Sequence, residues 1–257
     1  MNHLFDLRGK NALVTGATGG LGVSIVKALA EQGANLIVSD SDTRQCDLLV
    51  EQLRSQGTMA HALPADLADS SAVDALAHRS LELVGCVDIL VCNAGVQGPA
   101  GSLTQVSDSD WDKVIQINLR STVQLCSGLI PTMASKGQGS VVLISSIAGL
   151  RGNRAIGLYG LSKAAIAQLA RNLAVEWGPQ GIRCNAISPG LIRTPLATRL
   201  LNDEQFMQKR LQMTPLRRVG EPHEVAGAVV FLASQAGAFV NGHNLVVDGG
   251  TMISDGS

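Results

Sequence analysis

The stretch KNALVTGATGGLG, residues 10–22, decides the fold of this chain. A short apolar run is followed at once by closely spaced glycines, and an amphipathic helical pattern then continues to Gln32 and ends at Gly33. A strand, a glycine turn and a helix in this order can bind a phosphate group. The glycines let the backbone approach a pyrophosphate closely, and the helix N-terminus offers free N–H groups as donors. The spacing Gly16, Gly20, Gly22 differs from the G-x-G-x-x-G fingerprint, and many such turns carry glycine, so this stretch alone is weak evidence for a nucleotide.

Outward from this stretch, short apolar segments alternate with helical patterns along the chain. The predicted strands are 10–15, 34–40, 59–63, 88–92, 139–146, 182–188 and 244–247. One helical pattern follows the glycine turn, and a second follows the 34–40 strand and ends at Gln56. A third extends from Ser107 or Asp108 to about Met133, and a fourth begins near Tyr159. The last two cover 196–213 and the segment after Glu221. The alternation predicts an α/β fold: a single Rossmann-like, doubly wound domain, residues 1–257, with a seven-stranded parallel sheet covered by helices on both faces.

Turn-forming and polar residues recur at the predicted strand ends. In parallel sheets of this kind, ligands bind outside the carboxyl ends of the strands. Each residue taken alone could be a turn former or a cap, but together they are expected to surround one crevice. These strand-end residues are Gly16, Asp40, Asp66, Asn93, Ser146 and Pro189.

Tyr159 and Lys163 are four residues apart, so in a helix they lie side by side on one face. A phenol has an ordinary pKa of about 10, and a fixed ammonium nearby favours the phenolate, which suits proton transfer with a substrate hydroxyl. The spacing alone fits equally a Tyr and a Lys that share a helix by chance.

Composition excludes several classes of function. Charged residues make up 16% of the chain and the net charge is −1, which gives no electrostatic basis for binding nucleic acid or a membrane. Met1 to Lys10 has no signal-peptide core, and the longest apolar run is too short to span a bilayer, so a soluble, cytoplasmic protein is expected. The five scattered cysteines and the five histidines show no ligand spacing, so no metal site is predicted.

The ordered set of motifs resembles the short-chain dehydrogenase/reductase family along essentially the whole chain. Thr15-Gly16-x3-Gly20-x-Gly22 is similar to its cofactor loop, and Asn93-Ala94-Gly95 to its NAG turn. The spacing is Tyr-x3-Lys, not the Tyr-x6-Lys of the enoyl reductases, and the length leaves no room for the extra domain of extended members. Residues that match the family's catalytic four are Asn118, Ser146, Tyr159 and Lys163.

The resemblance implies NAD(P)-dependent hydride transfer between a secondary alcohol or ketone and nicotinamide. Tyr159 would be the general acid/base, Lys163 would lower its pKa and bind the nicotinamide ribose, Ser146 would hydrogen-bond the substrate oxygen, and Asn118 would position a relay water. A catalytically silent, nucleotide-binding regulatory relative is the alternative, and the intact set of four argues against it.

NAD(H) is expected over NADP(H), because Asp40 ends the second strand where it can accept hydrogen bonds from ribose hydroxyls. Asp40 as a plain helix N-cap is the competing interpretation. The expected cofactor-binding residues are Gly16, Thr18, Gly20, Leu21, Gly22, Asp40, Asp66, Leu67, Asn93, Ala94, Gly95, Tyr159, Lys163, Pro189, Gly190, Ile192 and Thr194.

The substrate is a small molecule that the sequence does not identify. The Leu- and Met-rich segment 194–213 is expected to act as a substrate lid and favours an apolar substrate portion. Arg151, Arg154 and Arg193 could instead recognise a carboxylate, although solvated surface arginines are commoner. The resemblance also implies a homotetramer built through the helices that hold Asn118 and Tyr159.

Overall fold

The computed structural model describes residues 4–254, which contain a sheet of seven parallel strands in the order β3-β2-β1-β4-β5-β6-β7. The predicted fold class is confirmed; residues 1–3, part of the segment considered for a signal peptide, and residues 255–257 lie outside the described range. The strands are β1 (Asn11–Thr15), β2 (Asn35–Ser39), β3 (Ala60–Ala62), β4 (Ile89–Cys92), β5 (Gly139–Ile144), β6 (Ile182–Pro189) and β7 (Asn244–Val247). The helices are α1 (Gly20–Glu31), α2 (Thr43–Ser55), α3 (Ser70–Val84), α4 (Asp108–Ile115), α5 (Ser121–Ser135), α6 (Gly157–Trp177), α7 (Thr198–Leu201), α8 (Glu204–Gln212) and α9 (Pro222–Ala233).

The sheet separates two hydrophobic cores. Alternate residues of a strand point to opposite faces, so Ala12 and Val14 of β1 pack with α1, α2 and α9, whereas Leu13 packs with α3, α5 and α6. Because both faces are buried, the central strands are apolar almost throughout, which is what made them visible in the sequence.

The strand order reverses between β1 and β4, which are hydrogen-bonded neighbours. The chain therefore leaves the carboxyl ends of these two strands in opposite directions, and a crevice opens between the connections. This crevice is where the predicted strand-end residues meet.

Helix α3 is an element for which the sequence analysis made no prediction. Its N-cap, Asp69, accepts a hydrogen bond from the N–H of Ser71, and its buried residues are Val73, Leu76, Ala77 and Ser80. These positions have the i, i+3, i+4, i+7 spacing of an amphipathic helix, so the signal was present in the sequence.

Two predicted helices are interrupted in the structure. The helix predicted to extend to about Met133 contains a π-helical turn, Gln116–Arg120, between α4 and α5. The pattern over 196–213 becomes a 3₁₀ turn and the short helices α7 and α8, because Asp203 caps a new helix by accepting from the N–H of Phe206 at 2.9 Å.

Candidate active site

The glycine turn is closed by backbone contacts that exclude any side chain. Gly16 has φ of +59°, and a Cβ there would lie 2.8 Å from the Cα of Ala94. A Cβ on Gly22 would lie 2.0 Å from the carbonyl oxygen of Gly16. The N-cap of α1 is Gly19, so no side chain caps the helix, and the N–H groups of its first turn remain available to a ligand in the cleft.

Asp40 is held at the end of β2 by the glycine turn. Its Oδ2 accepts hydrogen bonds from the N–H of Thr18 at 3.1 Å and from the Thr18 hydroxyl at 2.7 Å, while Oδ1 accepts from the N–H of Ser41 at 2.8 Å. The interpretation of Asp40 as a helix N-cap is wrong, because Asp42 caps α2 by accepting from the N–H of Gln45. Asp40 is therefore free of a capping role and lines the cleft.

Asn93 joins the end of β4 to the glycine turn. Its Nδ2 donates to the carbonyl oxygens of Thr15 and Gly16 at 3.1 and 2.8 Å. Gly95 then passes so close to the centre of the site that a Cβ there would lie 3.2 Å from Lys163 Nζ.

The side chain of Asn118 is fully engaged inside the protein. Its Oδ1 accepts from the N–H of Val96 at 2.8 Å, and its Nδ2 donates to the Val96 carbonyl and to the Ser162 hydroxyl at 2.8 and 3.0 Å. Asn118 sits in the π-helical turn and does not line the cleft, although its neighbour Ile117 does. The structure thus ties Asn118 to the segment after Gly95 and to α6.

The adjacent serines after β5 face in different directions, as the alternation of a strand requires. Ser145 is buried, and its hydroxyl donates to the carbonyl of Lys163 at 2.7 Å. Ser146 accepts at its Oγ from the N–H of Ala148 at 3.1 Å, and it is the side chain whose interaction with the Tyr159 hydroxyl lowers the pKa of the phenol. Only Ser146 has its hydroxyl beside the phenol.

Tyr159 and Lys163 lie side by side in the first turns of α6, with Lys163 Nζ 5.6 Å from the centre of the phenol ring. Burial lowers the pKa of Lys163 to about 8, and its ammonium donates to the carbonyl of Ile144 at 2.7 Å. Burial also raises the pKa of Tyr159, and the hydrogen bond with Ser146 only partly opposes this rise. The ammonium points to the Ile144 carbonyl and desolvation dominates at the phenol, so the expected lowering of the Tyr159 pKa by Lys163 stays a prediction.

These groups line one cleft of about 470 Å³ at the carboxyl edge of the sheet. Of the predicted catalytic and cofactor-binding residues, all line it except Thr18 and Asn118, which act on Asp40 and on Val96. The lining residues among them are Gly16, Gly20, Leu21, Gly22, Asp40, Asp66, Leu67, Asn93, Ala94, Gly95, Ser146, Tyr159, Lys163, Pro189, Gly190, Ile192 and Thr194.

The arginines considered for carboxylate binding separate in the structure. Arg151 lines the cleft, Arg154 is exposed and does not, and Arg193 is paired with Glu221, with 3.0 Å between Nε and Oε1. Among the lining residues that the sequence analysis did not single out, Ser39 and Arg210 each have a buried polar atom without a hydrogen-bond partner. Ser39 could have been found from its place beside Asp40. Arg210 lies in the segment 194–213 that was expected to cover the substrate, but nothing local distinguishes this arginine from the other charged residues of α8.

The cleft fits a dinucleotide. Its glycine turn leaves room and N–H groups for a pyrophosphate, a carboxylate stands at the end of β2, and the buried Ser39 hydroxyl lacks a partner. No group of His, Cys, Asp or Glu residues within 4–254 is arranged to hold a metal ion. Across the same range, the helices are too short or too polar to cross a bilayer.

Comparison with known proteins yields relatives that cover nearly the whole chain. Residues 16–252 match a family model described as enoyl-(acyl carrier protein) reductase. The chain is 35% identical over 254 residues to 5-keto-D-gluconate 5-reductase of Escherichia coli K12, covering 99% of this chain and 100% of that one. Gluconate 5-dehydrogenase from Burkholderia cenocepacia, solved with NADP and tartrate, superposes with a TM-score of 0.93 at 31% identity and 98% coverage of both chains. A 7α-hydroxysteroid dehydrogenase, solved with NADH and 7-oxo glycochenodeoxycholic acid, gives 0.91 at 36% identity and 96% coverage of both.

Proposed function

Since the chain belongs to the short-chain dehydrogenase/reductase family of oxidoreductases, we propose that it interconverts a secondary alcohol and a ketone in this cleft, with Tyr159 as the general acid/base. The observation that carries the proposal is that Ser146, Tyr159 and a buried Lys163 line one cleft, with Lys163 Nζ 5.6 Å from the centre of the phenol ring. The silent regulatory alternative does not fit, because the four residues are intact and the relatives are reductases and dehydrogenases.

A nicotinamide bound in the cleft supplies or accepts the hydride; the protein supplies position and the proton. The substrate oxygen is placed between two hydroxyls, with Ser146 donating a hydrogen bond and Tyr159 giving or taking the proton. Burial favours the protonated form of Tyr159, which is the form that gives a proton to a carbonyl oxygen.

Lys163 and Asn118 help to position Tyr159, the proposed general acid/base. The Lys163 ammonium, fixed on the Ile144 carbonyl, provides positive charge next to the phenol and a donor for a ribose hydroxyl. Asn118 holds the backbone at Val96 and the first turns of α6 in register, through Ser162.

Reduction of a carbon–carbon double bond is the second candidate function, given the description of the matching family model. The separation of Tyr159 and Lys163 by four residues argues against it, because enoyl reductases have a longer spacing.

A spectrophotometric panel tests the reaction class. Purified protein is incubated with NADH or NADPH and a set of ketones and enoyl thioesters, while the absorbance of the reduced nicotinamide is followed. Oxidation of the cofactor with ketones supports the proposal. Oxidation with enoyl thioesters alone, or with none of the compounds, would contradict it.

We propose that the cofactor is NAD(H) in preference to NADP(H), and Asp40 supports this. Its carboxylate is fixed by Thr18 and Ser41 but keeps lone pairs for ribose hydroxyls. A 2′-phosphate about 4 Å away would be repelled by roughly 1 kcal/mol in water and about 4 kcal/mol at a surface-like dielectric. Gly19 and Ser41 offer no compensating charge; Arg44 is the nearest basic side chain, and it is exposed on α2. Relatives solved with NADP and with NADH show that the family accommodates both.

Asp40→Asn tests the preference, because it removes the charge and keeps a group that can bond Thr18. The parent should favour NAD(H) in kcat/KM by about ten- to a thousandfold, and the variant should lose most of that ratio. Equal or better efficiency of the parent with NADP(H) would show the assignment wrong.

The segment 194–213 is proposed to cover the substrate as a lid. Helices α7 and α8 have no buried residue, yet Leu196, Leu200 and Arg210 line the cleft.

We also propose that the chain forms one domain and assembles as a cytoplasmic homotetramer. The proposed interface uses α4, α5 and α6, on which Trp111, Val123, Leu161 and Val175 are exposed apolar side chains. Analytical ultracentrifugation would decide the oligomeric state, and a monomer at micromolar concentration would exclude the tetramer.

A further inference from the structure

The cleft contains a pair of positive charges that the reaction itself does not require. Arg210 comes from α8 and Arg151 from the segment between Ser146 and Tyr159, and both line the cleft that holds the two hydroxyls. They approach it from different elements, one from the lid segment and one from the body of the protein.

The guanidinium of Arg210 is placed without a protein partner. Its Nη1 is buried and makes no hydrogen bond, and its guanidinium carbon lies 5.4 Å from the centre of the Phe206 ring, which holds the group in place. Neither Arg210 nor Arg151 forms one of the salt bridges found in residues 4–254. An unpaired buried donor on a charged group is costly, so its retention in a cleft indicates a ligand that satisfies it.

The surrounding charges favour an anion at this place. Burial lowers the pKa of Arg210, and the positive charge of Arg151 lowers it further, whereas Asp248 raises it. Asp248 forms none of the salt bridges found in residues 4–254, and its two oxygens accept from the N–H groups of Gly250 and Met252 at 2.8 and 2.7 Å. Two like charges that face one cleft repel each other until an anion lies between them.

We propose that the substrate carries a carboxylate, bound by Arg210 and Arg151, so that the enzyme acts on an oxo acid or hydroxy acid. A guanidinium binds a carboxylate through two parallel N–H donors, which fixes the orientation of the acid as well as its position. Leu196 and Leu200 border the same cleft and contact the carbon chain between the carboxylate and the reacting carbon. The inference rests on the proposed function, since it names the substrate class of that same site.

The first arm of the test measures binding without turnover. Lactate, 3-hydroxybutyrate and gluconate are titrated by calorimetry into the protein alone and with NADH present, each against the neutral alcohol in which CH₂OH replaces the carboxylate: 1,2-propanediol, 1,3-butanediol and glucitol. At least one acid should bind more tightly than its neutral counterpart. Arg210→Gln should weaken that binding about 10- to 150-fold, the range of a lost hydrogen bond to a charged group, and leave the neutral compound unchanged.

Matched variants separate this effect from a general disturbance of the lid. Arg199→Gln changes an exposed arginine of α7 that does not line the cleft, and it should leave acid binding as in the parent. Arg151→Gln probes the same anion from the other side of the cleft and should lower affinity for the acid even if α8 rearranges in the Arg210 variant. Arg210→Lys keeps the charge but not the fork, so it should restore part of the affinity.

The outcomes distinguish the two proposals. Equal binding of every acid and its neutral counterpart, or undiminished acid preference in both Arg210→Gln and Arg151→Gln, would overturn the carboxylate site while leaving ketone reduction intact. Acid binding that depends on both arginines, together with no oxidation of NADH or NADPH by any ketone in the spectrophotometric panel, would keep the site and contradict the reaction.

Discussion

The two ends of the cleft are built by different means. At the glycine end, which comprises Gly16–Gly22 and Asp40, the groups available to a ligand are backbone N–H groups and one carboxylate, and a Cβ on Gly22 would lie 2.0 Å from the Gly16 carbonyl oxygen. At the tyrosine end, which comprises Ser146, Tyr159 and Lys163, they are side chains held by burial and hydrogen bonds. The glycine end also touches the base of the lid, since a Cβ on Gly20 would lie 2.5 Å from the ring of Pro195.

This difference predicts a division of labour. Side chains at the tyrosine end can be removed with little change in the backbone, so substitutions of Ser146 and Tyr159 should lower turnover more than cofactor affinity, whereas loss of Lys163 should lower both. At the glycine end a Cβ added to Gly16 or Gly22 meets the backbone, so substitutions of these two residues should lower cofactor affinity and stability together.

Tyr159→Phe should give the largest effect. Removing the hydroxyl takes away the acid and should lower kcat by about 10²- to 10⁴-fold, while the affinity for the cofactor stays as in the parent. Steady-state kinetics and fluorescence titration of the reduced cofactor measure the two quantities. Near-normal turnover would remove the phenol from the mechanism, and a parallel loss of cofactor affinity would erase the proposed division.

The paired serines give the next effect. Ser146→Ala should raise the barrier by about 2–4 kcal/mol, the scale of a lost oxyanion donor. Ser145→Ala is the matched control, because its hydroxyl bonds the Lys163 carbonyl away from the phenol and its loss should cost stability more than turnover. Reversed severities in kcat/KM would show that the wrong serine faces the substrate.

Gly22→Ala tests the glycine end. The new methyl group would meet the Gly16 carbonyl and the Ala17 backbone, so we expect a loss of about 1–3 kcal/mol in the free energy of unfolding, with weaker cofactor binding. Gly227→Ala is the control with the opposite sign: it lies exposed within α9 with nothing within 4 Å of its Cβ, and it should stabilise by about 0.5–1 kcal/mol. Urea unfolding of both variants decides; a neutral Gly22→Ala would show that the turn is not so tightly closed.

The smallest expected effect is a dependence of stability on pH, which is caused by the buried Lys163 ammonium. The pKa of Lys163 is lowered from 10.5 to about 8, so the unfolded chain binds more protons than the folded one between these values, and stability from this group rises with pH. Between roughly pH 7 and pH 9, the unfolding free energy of the parent should therefore rise by about 1 kcal/mol relative to that of Lys163→Met. A difference that stays constant over this range would mean that Lys163 is not desolvated as the structure shows.

The same contrast explains what the sequence could and could not predict. The glycine turn, the strand ends and α6 have local signatures, because backbone sterics and apolar runs act over a few residues. Asn118 was identified, but its π-helical turn was not, since only the tertiary bonds to Val96 and Ser162 reveal why the helix deviates there.

The charges and pKa values of the cleft were the least predictable property of the site. The pKa of Tyr159 depends on how much water reaches the phenol and on where Lys163 points, and neither quantity is local to α6. Arg210 lies in the segment that was expected to act as a lid, but its own place in the cleft depends on how the interrupted helix of segment 196–213 folds back over the strand ends.

The most direct measurement of the central claim, that hydride moves between nicotinamide and a carbonyl carbon in this cleft, follows a single deuterium atom. The protein is given reduced cofactor deuterated at C4 of the nicotinamide, in separate preparations for each face, with the ketone that it reduces fastest, and the alcohol is analysed by mass spectrometry. One deuterium on the carbinol carbon, delivered from one of the two faces and retained in water, is the predicted result. An alcohol formed without deuterium on that carbon from either preparation would contradict it.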